Sequence, residues 1–157
     1  MDIIFLDIEA SGLASASYPI EIAWAWPEQD KEDSFLIDPT SADGWEYWDE
    51  YAEEIHCIDR NELIEQGVSV EEAAERLHSQ LKGCTVISDA QTFDSFWMNR
   101  LFDEVSMRPE FKLVGVETVL TPVELEAYKE QSRLQRRYHR ALSDVHAMIT
   151  LFNEVRA

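Results

Sequence analysis

Apolar residues recur along this chain with two periods, and the change from one to the other divides it into strands and helices. The first run, Ile3, Ile4, Phe5, Leu6 and Ile8, is nearly continuous and rich in strand-forming residues. Small residues from Ala10 to Ser17 close it. It reads as a short strand buried on both faces at the centre of a sheet. Residues 18–26 alternate, with Ile20, Ile22, Trp24 and Trp26 on one face and Glu21, Ala23 and Ala25 on the other, so they form a second strand. A polar turn over Pro27 to Glu32 leads to a third, Ser34 to Ile37, closed by Asp38-Pro39. Short connections make the three an antiparallel meander. The tryptophans are assigned to the core rather than to a base-stacking platform.

The later chain turns to helical spacing. Trp45, Trp48, Tyr51 and Ile55 predict a helix within residues 43–66 with an acidic outer face, followed by a short helical piece through Glu65. Ser69, with Glu72 three residues on, predicts a capping box. Its helix buries Val70, Ala73, Ala74, Leu77 and Leu81 and stops at Gly83. Cys84 to Ser88 is a fourth strand, reached through a helix and therefore parallel to the first. Residues 94–106 form a helix with Phe96, Trp97, Leu101, Phe102 and Val105 inward. Phe111 to Val116 is a fifth strand and residues 122–137 a helix. The last helix carries the stripe Leu142, Val145, Met148, Ile149 and Phe152, with Ser143 or His139 near its start. The order β-β-β-α-α-β-α-β-α-α predicts an α/β fold, a mixed sheet with helices on both faces.

A length of 157 residues with 45% apolar content supports a single domain with a sizeable core. Cys57 and Cys84 form no CxxC pair and are expected as free thiols. With no basic leader and no run of membrane-spanning length, a cytoplasmic location is expected. The net charge of −19 argues against broad adhesion to nucleic acid. That charge is uneven. Residues 28–54 hold eleven acids against Lys31 alone, whereas Lys129, Arg133, Arg136, Arg137 and Arg140 place five of thirteen bases within twelve residues. The acidic segment reads as a solvated face.

Candidate chemistry begins in the first strand. Asp7 and Glu9 are two apart and leave one face of the sheet side by side. Adjacent carboxylates in an apolar setting resist ionisation, and a divalent cation would relieve them. The alternative is a strand that ends early, with both acids solvated. Asp94 reads, taken alone, as an acid favoured by a helix N-terminus. Asp144 lies in the first turns of the last helix. His139, five residues earlier, falls in the preceding loop. Leu13, stranded in the small-residue loop, either enters the core or packs on a flat ligand.

Together these residues have a familiar order. Asp7-Ile8-Glu9 with Ser11-Gly12-Leu13 resembles the first motif of the DEDDh (DnaQ-like) 3′→5′ exonucleases. Phe93-Asp94 before an aromatic-rich helix resembles the second, and His139-Arg-Ala-Leu-Ser-Asp144 the third. Tyr18-Pro-Ile-Glu-Ile-Ala23 and Ile55-His-Cys-Ile58 are similar to two further segments of that family, so the resemblance spans almost the whole chain. The chain departs from the family at Ser88-Asp89, where His-Asn is frequent, at Ala10-Ser11 and at Glu117-Thr118. Asp89 is a spare carboxylate ranked below Asp94, and His146 is read as an exposed helix residue.

The resemblance implies a ribonuclease H-like fold over residues 1–157, a single exonuclease domain with a mixed five-stranded sheet, three strands antiparallel and then parallel ones. It implies two Mg²⁺ or Mn²⁺ ions held by Asp7, Glu9, Asp94 and Asp144, Asp7 bridging, with His139 as general base. Two ions ~3.5–4 Å apart suit in-line phosphodiester hydrolysis. Ser11, Gly12 and Leu13 would hold the terminal nucleotide, His56 would approach it, and Arg136 and Arg137 would track its backbone. The alternative for the basic stretch is a helix face neutralised by Glu124, Glu126 and Glu130. The implied substrate is the 3′ end of single-stranded DNA or RNA. Further expectations are a protein partner on the acidic 28–54 face and a homodimer. The rival readings are a nuclease-like fold used as a binding module and a phosphatase-type metal site on another α/β fold.

Overall fold

Residues 3–157 are described by a computed structural model. The apolar run near the N-terminus forms the central strand, β1 (Ile3–Ala10), and the alternating segment forms β2 (Pro19–Trp26). With β3 (Lys31–Leu36), β4 (Thr85–Ser88) and β5 (Lys112–Gly115) they make one sheet in the order β3-β2-β1-β4-β5. β1 pairs antiparallel with β2 and parallel with β4, and β4 pairs parallel with β5. The meander and the parallel crossover follow the sequence pattern, though β3 begins at Lys31, inside the expected turn.

Among the described residues there are six α-helices: α1 (Glu50–His56), α2 (Arg60–Gln66), α3 (Val70–Leu81), α4 (Gln91–Glu104), α5 (Pro122–Leu134) and α6 (Ala141–Val155). Three helices, rather than two, separate β3 from β4, because the piece through Glu65 is itself a helix, α2. Both faces of the sheet are packed. Ile4, Leu6, Ile8, Ile22 and Trp24 meet the stripes of α3 and α4 on one side. Phe5, Ala23, Ala25, Ile87 and Val114 meet α5 and α6 on the other. Alanines at 23 and 25 let α6 lie close, and Phe5 meets Phe152 edge-on, with ring centroids 5.0 Å apart.

Several boundaries differ from expectation, each for a local reason. Trp45 to Trp48 are not helical. Asp49 caps α1 by accepting the Tyr51 N–H at 3.0 Å, so the helix starts only there. Trp45 is buried and stacked on Tyr18, while Tyr51 and Ile55 face outward. Ser69 caps α3 by accepting the Glu72 N–H, but the Glu72 carboxylate turns to Arg76, and the reciprocal arm of the box is not made. α4 starts at Gln91, which puts Asp94 inside the helix instead of opening it, and Met98 rather than Phe96 points inward. α5 ends at Leu134, leaving Arg136 and Arg137 in the following loop. Arg140 is the N-cap of α6, so His139 and Ser143 both lie near its start, as expected. Among the described residues no helix is long and apolar enough to cross a membrane.

Candidate active site

The sheet topology gathers the acids at one end. β1 and β4 run parallel, and ligand sites in open α/β sheets lie beyond the carboxyl ends of such strands. Asp7 and Glu9 follow Phe5 on the face that α6 covers, and Asp144 sits in the first turn of α6. One carboxylate oxygen from each of Asp7, Glu9 and Asp144 lies within 4.8 Å of the others. Asp94 comes from α4 and is buried beside Asp7, whose ionisation it opposes. Its Oδ2 accepts the Ser88 hydroxyl at 2.6 Å, while Ser88 Oγ accepts the Ala90 N–H at 3.0 Å.

Every one of these carboxyls is harder to ionise than usual. Burial, followed by the charges of Asp94 and Glu9, raises Asp7 well above the carboxylate range. Burial is also the main cause at Glu9, pushed up to about 8, and at Asp94, raised to about 7 despite the Ser88 hydrogen bond. Asp144 is raised by burial, against the opposing influence of Arg137 and His139. Asp7 Oδ2 and Asp144 Oδ1 are buried and have no hydrogen-bond partner among the described residues. Orphaned carboxylate oxygens are costly unless a cation satisfies them. The donor set is all oxygen, which suits a hard divalent ion. The acidic group can hold a metal ion.

A cleft of about 260 Å³ opens beside the acids. Asp7, Glu9, Asp94 and His56 line its floor, and Leu13, Tyr51, Ile55 and Phe93 line it with apolar surface that is otherwise exposed. Leu13, at 76% exposure, lies outside the core. Ser11 is buried and its Oγ accepts the Tyr18 N–H at 3.1 Å, so its side chain serves the loop. A Cβ at Gly12 would come within 2.9 Å of Asp49 and Tyr47, so glycine there permits close packing of the chain on itself. His56 is buried; its Nδ1 accepts the Ile58 N–H at 3.0 Å, which places the proton of the neutral ring on Nε2. That Nε2 has no partner among the described residues, and burial lowers the pKa of the ring.

His139 is exposed, in the loop before α6, with φ 56°. Arg136 is exposed, its guanidinium 5.4 Å from the centre of the Tyr138 ring. Arg137 is turned inward to Asp89 at 3.1 Å, and Asp89 also accepts the Tyr128 hydroxyl at 3.2 Å. Asp89 is therefore paired away from the acidic group. His146 Nε2 lies 3.0 Å from Glu32, on an exposed part of α6. Two residues of the cleft lining stand out only in the structure: Tyr51 belongs to the helical repeat in the sequence, and Phe93 is the neighbour of Asp94.

At the level of sequence, no protein-family model and no curated protein matches the chain. Its backbone nevertheless has a ribonuclease H-like fold, as the mixed sheet and its helices show. Within that fold the chain is similar to E. coli exonuclease I. A crystal structure of that enzyme with a dT13 oligonucleotide matches at TM-score 0.76 and 18% identity, over 99% of this chain and 41% of that one. The zinc-bound form of its complex with single-stranded DNA matches at 0.70 and 17% identity, over 95% and 39%. The metal-free form matches at 0.69 and 18% identity, over 97% and 41%. The chain spans about two fifths of the length of these solved chains.

Proposed function

We propose that this chain is a metal-dependent 3′→5′ exonuclease acting on single-stranded nucleic acid. The observation that carries this reading is the junction of two features. A buried group of carboxylates with orphaned oxygens opens directly into an apolar cleft at the small end of ligand-pocket sizes. The former suits divalent cations, and the latter suits a sugar and a stacked base. The solved exonuclease I structures with single-stranded oligonucleotides support the same substrate class.

In this reading Asp7, Glu9, Asp94 and Asp144 would hold two Mg²⁺ or Mn²⁺ ions. Such ions, when bound, activate water and stabilise a departing oxygen. His139 accepts the proton of the attacking water at a ring nitrogen. Its exposed loop position leaves that nitrogen open to solvent and substrate. The water oxygen bonds to phosphorus, the bond from phosphorus to the 3′ oxygen of the preceding nucleotide breaks, that oxygen takes up a proton from solvent to become the new 3′ hydroxyl, and a nucleoside 5′-monophosphate is released. Leu13, Tyr51 and Phe93 grip the terminal base and sugar. The Nε2–H of His56 donates to an acceptor on the terminal nucleotide. Arg136 contributes to the backbone path, whereas Arg137 is already paired.

The test uses 5′-labelled single-stranded DNA and RNA oligonucleotides with Mn²⁺. A ladder shortening from the 3′ end, lost in EDTA, is expected. Cleavage that persists in EDTA would contradict the metal mechanism. Tight binding without cleavage would favour the binding-module reading.

A further inference from the structure

Glu21 is a fifth acid at the site. It lies opposite Glu9 in the β1–β2 register and is only 6% exposed, yet it is not one of the clustered acids. Its oxygens are already occupied. Arg140 Nε lies 3.1 and 3.2 Å from Oε1 and Oε2, and Arg140 Nη2 donates to Oε2 at 2.8 Å. Oε1 also accepts the N–H of Ala141 at 2.8 Å. Ala141 is the first residue of α6, and its N-cap, Arg140, makes no side-chain cap of its own. Glu21, 120 positions away in sequence, therefore caps α6 one turn before Asp144.

A second fastening lies on the other side of His139. Arg137 donates to Asp89 Oδ2 at 3.1 Å and to Gln135 Oε1 at 2.7 Å, and Gln135 Nε2 reaches the Ala147 carbonyl at 3.1 Å. His139 sits between the two fastenings in the left-handed region, an uncommon conformation for a residue with a side chain. We propose that Glu21–Arg140 and Asp89–Arg137 are two clasps that position His139 over the acidic group. These four are positioning residues, and Arg137 acts through the loop and not on a substrate backbone. The inference rests on the exonuclease reading for its catalytic consequence, but not for its structural one.

The two consequences are read separately. On a single-stranded oligonucleotide with Mn²⁺, Glu21→Ala and Asp89→Ala each lower kcat by about 10²-fold, the scale of a misplaced catalytic group. KM stays within about twofold, since neither clasp touches substrate. In the His139→Ala background the same substitutions cost little more, because the group they position is gone. Arg140→Lys, which keeps charge but loses the fork, recovers only part of the rate relative to Arg140→Gln. Equal losses with and without His139 would overturn the proposal. Amide hydrogen exchange on the metal-free protein needs no activity. The amides that flank the loop, Gln135 bonded to the Gln131 carbonyl and Asp144 bonded to the Arg140 carbonyl, lose protection in both clasp variants while β1 keeps its own. Unchanged exchange there overturns the clasps even if the wild type cuts nothing. Should Glu21→Ala not fold, Asp89→Asn and Arg140→Lys carry the same measurements.

Discussion

Two groups of acids in this molecule have opposite physical characters. Residues 28–54 hold eleven, yet those turned inward have donors. Asp33 pairs with Arg76 and Gln80, Asp38 and Asp49 cap short helices, and Glu53 accepts the Trp48 indole N–H. The group at the end of β1 holds fewer acids, but Asp7 and Asp144 each keep an oxygen with no partner among the described residues. Charge density alone does not make a site. Buried carboxylate oxygens with no donor do, because only a cation or a proton can satisfy them.

Neutralising one acid in each group separates them most sharply. Asp7→Asn is expected to remove detectable cleavage, a loss of at least about 10³-fold, while raising the melting temperature of the metal-free protein at high pH, where the buried acids are forced to ionise. A fall in melting temperature would mean that Asp7 is satisfied in the folded chain. His139→Ala should lower kcat by about 10²–10⁴-fold and leave Mn²⁺ affinity unchanged, read by steady-state kinetics beside calorimetry. An unchanged rate would move the base to another group.

The pH dependence of stability has a definite sign. Glu9 ionises near 8 and Asp94 near 7 in the folded chain, against ordinary values of 4.5 and 3.8. Between those limits the folded chain binds more protons than the unfolded one, so stability falls as pH rises. In EDTA the melting temperature should decline from pH 5 to beyond pH 8. Glu9→Gln should flatten that slope, and a divalent cation should do the same. A melting temperature that climbs over this range would contradict the shifts.

Smaller effects are expected at the edges of the comparison. Phe93→Ala and Tyr51→Ala should each weaken single-strand binding by roughly 1–3 kcal/mol, the scale of one stacked base, measured by fluorescence anisotropy. Asp33→Ala should cost roughly 1.5–3 kcal/mol of stability, since it breaks charged hydrogen bonds on the far edge of the sheet. Its cleavage rate should stay within about twofold of wild type, because the site lies elsewhere.

Much of this arrangement was legible in the sequence because it depends on short periods. Asp7 and Glu9 share a face by the two-residue repeat, and the stripes of α3 and α6 follow the helical one. The same reasoning failed where one pattern served two structures. Trp45, Trp48, Tyr51 and Ile55 have helical spacing, but the Asp49 cap divides them. Trp45 goes to the core, and Tyr51 and Ile55 go to the cleft wall. Glu21 and Arg140 are ordinary charges in sequence. Their pairing spans 119 positions and exists only once the sheet brings β2 beside the start of α6.

The claim that orphaned carboxylates define this site is tested most directly by titrating Mn²⁺ into the metal-free protein at pH 7.5 by calorimetry, in two buffers of different ionisation enthalpy. Binding accompanied by proton release, and lost in Asp7→Asn, is the predicted result, since carboxyls held protonated by burial must give up their protons to bind a metal. Absence of binding, or binding that Asp7→Asn leaves intact, would contradict the account.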